Sequence, residues 1–355
     1  MDTRRPGGTL PRIDERPFFL VTIDVEGDNV WARQPSTTTR NAAFLPRFQE
    51  LCERYGLRPT YLTNLDMARS PDFQVFARRF LREDTAELGM HLHAWDNLSG
   101  FQLSREDWRH HPYLMEFPED VIHREVGLMT DLLQDAYGVK VVSHRAGRWG
   151  FDAAYARALA AHGYRVDCSV TPHLSWRDQV GDPDGGGGSD YTGFPEHAYW
   201  LDLEDIARSG ASGLLEIPMT VRPYRRPRVN TVRRCLREGS FLRRLVDWTC
   251  PPIVWLRPNG RNLRRMRQLL CAARAEERDY VMFMLHSSEL MPGGSPRFGT
   301  EASVAKLYEE MERIFGEAAP HFRGATLAEY REDFERRCVG PGASLDAAAG
   351  AALRY

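Results

Sequence analysis

The sequence predicts an α/β fold, a parallel sheet or barrel with helices outside it. Two observations carry this expectation. Short apolar runs rich in β-branched and aromatic residues alternate with helical patterns along the chain. Several of those runs also end on polar or ionisable residues, as strands do where a parallel sheet builds a binding site. A chain of 355 residues, 42% of them hydrophobic, can bury a core of this kind.

The first run, Phe18-Phe19-Leu20-Val21-Thr22-Ile23, reads as a buried strand ending at Asp24, and residues 1–16 before it as a flexible polar tail. A helical pattern over 44–55 follows, with Gly56 placed to cap it, and then a strand over 59–63. The alternation continues with a helix over 73–82, a strand over 87–93, a helix over 119–137 and a strand at 141–142. After these come a helix over 153–162 and strands over 165–170, 214–217 and 280–285. The glycine run 185–188 reads as a flexible loop, since strand-like sequence resumes soon after it. Residues 338–355 read as a flexible Gly/Ala-rich tail, leaving one domain over 17–337.

Overall charge excludes little: the formal net of -2 gives no global pull towards nucleic acid or membrane. Its distribution is uneven. Between Arg222 and Arg267 stand fourteen arginines and no lysine against Glu238 and Asp247, a local net of +12. The six cysteines show no Cys-x-x-Cys pair, so buried free thiols are expected rather than a zinc knuckle or a disulfide framework. No apolar run has the length of a bilayer span, and the first sixteen residues lack the apolar stretch of a signal peptide; the expectation is a cytoplasmic protein.

Five motifs carry chemistry. In Thr22-Ile23-Asp24-Val25-Glu26, Asp24 and Glu26 project to one side if the chain stays extended, and two such carboxylates need a cation or a shared proton between them; a helix cap or solvated turn explains the pair equally well. In Met90-His91-Leu92-His93 the two imidazoles share a strand face, which suits one metal ion. Ser143-His144-Arg145 presents a guanidinium that can fix a carboxylate. Asp167 borders an apolar strand and is costly to bury without a partner such as Arg145. Finally, the apolar run ending Met284-Leu285-His286 places His286 as a general acid.

The order of these motifs resembles the polysaccharide deacetylase (NodB-homology) superfamily over residues 18 to about 337, and the stretches at 22–28, 145–150 and 284–296 look like its WalW-like branch, associated with surface polysaccharide synthesis. The resemblance implies a distorted (β/α) barrel of about seven parallel strands with outer helices. It implies removal of an acyl group from a sugar nitrogen at a divalent metal ion, zinc first among them. By motif, Asp24 becomes the general base, Glu26 and His91 metal ligands, and His286 the acid, with Arg145 and Asp167 positioning them. The second family histidine stands four residues after the first, where this chain has Trp95, so His93 takes its place here. Glutamate at position 26 reaches farther than the family's aspartate, leaving open whether Asp24 is itself a ligand. Trp95, Trp149 and Glu289 are the candidates for contact with sugar.

The arginine-rich stretch reads as an insertion over about 222–268. Interleaved with Leu236, Phe241, Leu242 and Trp248, it suits a basic amphipathic helix on an anionic inner-membrane face, and therefore a phosphate-bearing or lipid-linked glycan. Ordinary solvated helix faces with acidic neighbours are the other reading. No nucleic-acid motif accompanies the arginines, and none of that class of partner is expected. A glycan-binding module without turnover, and a deformylase or other C–N hydrolase, are the competing functions.

Overall fold

The computed structural model describes residues 14–339, apart from 29, 31–36, 180, 182–186, 224–228, 230, 233–234, 238–239, 244–245 and 247–251. Most of both expected tails, half of the glycine run and much of the arginine-rich stretch therefore lie outside the described residues.

Strand β1 (Phe18–Val25) divides the core by its alternation. Phe18 and Leu20 face a cluster inside the curled sheet, with Met282 and Met284, while Phe19, Val21, Ile23 and Val25 face the outer layer under the helices. Being buried on both sides, the strand is apolar almost throughout, as expected of a parallel sheet covered by helices.

The other strands are β2 (Pro59–Thr63), β3 (Glu87–Leu92), β4 (Ser143–Ala146), β5 (Val166–Asp167), β6 (Tyr199–Trp200), β7 (Leu215–Glu216), β8 (Val221–Pro223), β9 (Ile253–Trp255), β10 (Tyr280–His286) and β11 (Arg323–Ala325). The main sheet runs β10-β1-β2-β3-β4-β5-β7-β6, with β11 also on β1. From β10 to β7 every neighbour is parallel, which makes seven strands. No ladder joins β7 to β10 among the described residues. Single hydrogen bonds cross that gap instead: Met282 N donates to Thr220 Oγ1 at 2.7 Å, Leu256 N to Thr220 O at 3.3 Å and Met284 N to Leu256 O at 3.2 Å. The distorted barrel expected from the motifs is thus a curled parallel sheet stitched shut by irregular chain.

The helices Leu45–Arg54, Pro71–Glu83, Glu119–Tyr137 and Ala153–Ala161 lie where the periodicity put them. Two strands moved. The one expected at 141–142 forms over Ser143–Ala146, whose polar residues stay in the sheet because each finds a buried partner. The one expected over 165–170 stops at Asp167, because Ser169 N and Val170 N donate to Asp167 Oδ2 (2.8 Å) and Glu216 Oε1 (3.0 Å) instead of to a ladder. The sequence reading did not single out the helices Leu263–Ala275, Glu301–Ala318 and Leu327–Val339. Cys52 and Cys168 are buried free thiols, whereas Cys235, Cys271 and Cys338 are exposed. No helix among the described residues is long and apolar enough to cross a membrane.

Close strand packing meets at Gly89 in β3. A methyl group there would lie 2.7 Å from Leu62 Cδ2 and 2.9 Å from the Ser143 carbonyl oxygen. Gly89→Ala is expected to destabilise the protein by about 1–3 kcal/mol, read as a lower denaturant midpoint at unchanged slope. An unchanged midpoint would contradict this packing.

Candidate functional site

Register sets the site. Asp24 lies opposite His286 across β1 and β10, His91 opposite Arg145 across β3 and β4, and His144 opposite Asp167 across β4 and β5. All stand at or near the carboxyl ends of parallel strands, where the side chains meet beyond the ladder. His93 continues the extended backbone one residue past β3, at φ -102° and ψ 151°, so the two imidazoles keep the common face that their spacing predicted.

Three buried side chains converge. His91 Nε2 stands 2.7 Å and His93 Nε2 2.8 Å from the same oxygen, Glu26 Oε1. His91 Nδ1 faces the Arg145 carbonyl at 2.9 Å; a carbonyl only accepts, so Nδ1 carries the hydrogen and Nε2 can present a lone pair inward. Glu26 Oε2 is buried and has no hydrogen-bond partner. Burial disfavours the Glu26 carboxylate, but His286, His91 and His93 outweigh it and hold the group well below its usual range. The imidazoles part company. Burial is outweighed at His91 by Asp24 and Glu26, which raise it to about 9, while burial and the neighbouring His91 lower His93. One carboxylate and two imidazoles that share a focus, with an unmatched carboxylate oxygen, fit a divalent cation with positions left open. Gly147 makes room for the set, since a Cβ there would collide with the His93 ring. Asn41 Nδ2 (2.8 Å) and Ser287 Oγ (3.2 Å) donate to the Glu26 carbonyl and fix its backbone.

Asp24 sits on the rim of this centre. Its Oδ1 accepts from Arg145 Nη1 at 2.5 Å, while Oδ2 lies 4.0 Å from His91 Nε2 and 3.8 Å from His286 Nε2. Arg145 is fully buried and also donates to Thr22 Oγ1 (2.8 Å) and the Cys168 carbonyl (3.2 Å). Burial would raise the Asp24 carboxyl, yet Arg145, His91 and His286 keep it below the ordinary value and therefore ionised. His286 Nδ1 is 2.8 Å from Arg257 Nη2. Nδ1 also lies 3.5 Å from Glu289 Oε2, and Nε2 is the nitrogen turned towards Asp24.

Two expected roles change. Asp167 does not pair with Arg145: it accepts from His144 Nδ1 at 2.6 Å and from Ser169. Parity explains this, because His144 and Asp167 are in register and share the outer face, while Arg145, one residue on, points inward. Glu289, expected to contact sugar, is turned inward. It is buried, accepts from the His286 backbone N–H at 2.9 Å as the third residue of a capped turn, and pairs with Arg257 at 3.1 Å. Trp95 stacks on His93 at 4.1 Å and so supports that ring. Trp149 packs near Arg145 and 5.9 Å from Trp255, held by two successive left-handed residues, Arg148 (φ 55°) and Trp149 (φ 62°).

Sequence reasoning passed over His144, Arg257, Trp255 and Glu216. The first was quoted inside the arginine motif without a role, and its place beside Arg145 was the available signal. Burial raises Glu216 well above the carboxylate range, and nearby Asp167 adds to the shift. Nothing local marks Trp255 and Arg257 within the arginine-rich stretch.

Burial of Glu289 is outweighed by Arg257 and His286, which bring its carboxyl from 4.5 down to about 2. The folded protein thus releases this proton more readily than the unfolded chain. The stabilisation is complete above about pH 4.5 and fades as pH falls towards 2. Glu289→Gln is expected to cost about 3 kcal/mol at neutral pH and to flatten the acid limb of thermal stability between those values. An acid limb as steep as that of the parent would refute the assignment.

No family model matches the sequence, and no curated protein matches it either. Solved structures do. A Mycobacterium smegmatis protein described as a polysaccharide deacetylase aligns at 14% identity over 96% of this chain and 98% of its own, with a TM-score of 0.52. A Parabacteroides distasonis protein described as a glycoside hydrolase/deacetylase aligns at 13% identity over 90% and 71%, with a TM-score of 0.58. A CE4 family pseudoenzyme from Bacillus anthracis is also found, at 11% identity over 89% and 66%, with a TM-score of 0.40. The chain has the fold of the polysaccharide deacetylase superfamily.

Proposed function

We propose that the protein is a metal-dependent hydrolase that removes an acyl group from the nitrogen of an amino sugar, its catalytic unit spanning residues 17–337. The observation that carries this reading is the convergence of His91, His93 and Glu26 on one point, flanked by Asp24 and His286. Glu26, His91 and His93 would hold the ion, zinc by preference for this nitrogen and oxygen set. A divalent ion there supplies a Lewis acid for the acyl oxygen and lowers the pKa of water.

The chain's own residues divide the proton work. Asp24, ionised and steered by Arg145 at Oδ1, offers Oδ2 to take a proton from the attacking water. As the water oxygen bonds the acyl carbon and the C–N bond breaks, His286 Nε2 gives its hydrogen to the departing nitrogen. The proton held by Asp24 restores it across the 3.8 Å between them, so the amine gains what the water lost. Arg257 and Glu289 keep the His286 ring turned for this exchange. Asp167 acts at one remove through His144 and the loop whose Cys168 carbonyl holds Arg145. Trp149, and Trp95 at its exposed edge, are the surfaces for a sugar ring.

Action at the cytoplasmic face of a membrane, on a lipid-linked sugar, belongs to the same reading. Its support is a pair of exposed apolar side chains in the arginine-rich stretch, Phe241 (78%) and Leu242 (59%), beside Arg243. Arg222 and Arg267, by contrast, are partnered by Glu276 and Glu317. Flotation with anionic vesicles is expected, and to be lost in a Phe241→Ser/Leu242→Ser variant; equal flotation of the two proteins would end the membrane role.

The decisive test is acetate release from N-acetylated amino sugars and their oligomers before and after chelation, with metal content measured alongside. Release that stops on chelation and returns with zinc is the expected result. Bound metal without release of acetate or formate would leave only a glycan-binding module.

A further inference from the structure

Strands β8 and β9 form an outer sheet whose second strand ends on the half-buried Trp255, next to the buried Val254. Two residues on, Arg257 reaches His286 Nδ1 at 2.8 Å, which brings the strand's end to the reaction centre. Trp255 and Arg257 line one cavity of about 310 Å³, in the range of small-molecule sites. An indole bordering such a space beside His286 is placed to meet a substrate.

Two further half-buried indoles join it, each from a different segment. Trp149, in the turn after β4, has its ring centroid 5.9 Å from that of Trp255 and 5.1 Å from Cζ of Arg145, whose guanidinium holds Asp24. Trp176, in the loop after β5, lies 6.4 Å from Trp255. Contact therefore runs from Arg145 through Trp149 and Trp255 to Trp176. The rings are held in advance. Arg148 and Trp149 take successive left-handed conformations (φ 55° and 62°), which non-glycine residues keep only where their surroundings impose them, and the Trp149 carbonyl accepts from the Tyr191 hydroxyl at 2.5 Å. Trp176 Nε1 donates to Thr171 Oγ1 at 2.9 Å, and its backbone pairs with Gly188 N (3.1 Å) and Ser189 O (2.9 Å). A Cβ at Gly188 would stand 2.7 Å from Trp176 Cβ, so glycine lets the loop fold this closely behind the indole.

We infer that Trp255 and Trp176 form a second sugar subsite, which continues a glycan chain from the ring held at Trp149. The inference rests on the amino-sugar reading for that first ring and adds the residues that select for its neighbours. A pyranose presents a face of C–H groups, whose hydrogens carry the small positive charge that the negative face of an indole attracts. The hydroxyls at its rim point away from the indole, towards water or the polar wall of the cavity, Asn259 included. Because the rings are fixed before binding, little side-chain freedom is lost when a sugar arrives. Contacts remote from the acyl carbon bind ground state and transition state alike, so this subsite acts on KM rather than on kcat.

The probes are N-acetylglucosamine and its dimer, trimer and tetramer in the β-1,4-linked and β-1,6-linked series. Binding to the full-length protein stripped of metal by chelation, which prevents turnover, is read by calorimetry and by indole fluorescence; turnover is read with zinc restored. In at least one series the trimer is expected to bind about tenfold more tightly than the monomer, with the indole emission shifted. Trp255→Ala and Trp176→Ala are each expected to remove most of that gain and to raise KM for the trimer about tenfold at unchanged kcat. Trp255→Phe keeps a flat ring and should retain most of the gain; a loss equal to that of the alanine variant would overturn stacking as the cause. Trp200→Ala, whose ring packs on Phe334 at 5.6 Å, is the folding control and should keep the gain in full. No gain with length in either series, or a gain that survives both alanine variants, overturns the subsite. A gain that depends on both indoles, in a protein that releases no acetate, keeps the subsite and ends the deacetylase reading. Acetate release without any gain does the reverse.

Discussion

His91→Ala is expected to lose the bound divalent ion and to lower acyl release by about three orders of magnitude, about 4 kcal/mol of transition-state stabilisation. The imidazole contributes one of three inward donors, and its neighbours are already committed: Asp24 is engaged by Arg145, and His93 shares Glu26. His93→Ala should behave alike. The control is His144→Ala, also fully buried and on the adjacent strand, but turned to the outer layer against Asp167 and Tyr155 (2.9 Å). It should lower stability and keep the metal. Metal content by atomic emission, measured with turnover on the same preparations, decides the matter. Full metal occupancy in His91→Ala would remove the centre from Glu26, His91 and His93.

The legible part of this site was the part that alternation governs. Asp24 with Glu26, and His91 with His93, are each two residues apart on strands whose apolar neighbours mark the opposite face, so one face and one focus could be read without coordinates. The placement of His93 on the face of His91 was also readable, because the extended backbone runs through residue 93 and leaves Trp95 to stack on the ring. What the sequence could not yield was contact between strands distant in the chain. Asp167 was matched to Arg145 by charge, whereas register gives it His144; the parity of β4 against β5 appears only when the ladder is known. Glu289 was expected to contact sugar, and the turn at His286 folds it inward to accept a backbone N–H. The barrel's closure was equally hidden, since it depends on a few single hydrogen bonds from irregular segments rather than on a periodic strand.

The second large effect is expected at Arg145. Arg145→Met keeps the length and apolar stem of the side chain but leaves the Asp24 carboxylate buried beside Glu26 without its cation, and should cost about 3–5 kcal/mol of stability together with nearly all turnover. Adding Asp24→Asn removes the stranded charge. If the cost lies in that charge, the double variant should recover most of the lost stability, because a buried ion pair replaced as a whole is often close to neutral. Activity should stay absent in both, since a carboxamide at position 24 cannot take a proton from water. Denaturant midpoints of the two single variants and the double variant close the cycle. A double variant no more stable than Arg145→Met would mean that the guanidinium matters through Thr22, the Cys168 carbonyl and the sulfurs of Met219 and Met282 rather than through Asp24. The acid group would then need another source of its depressed pKa, and the assignment of Asp24 as the steered base would fall with it.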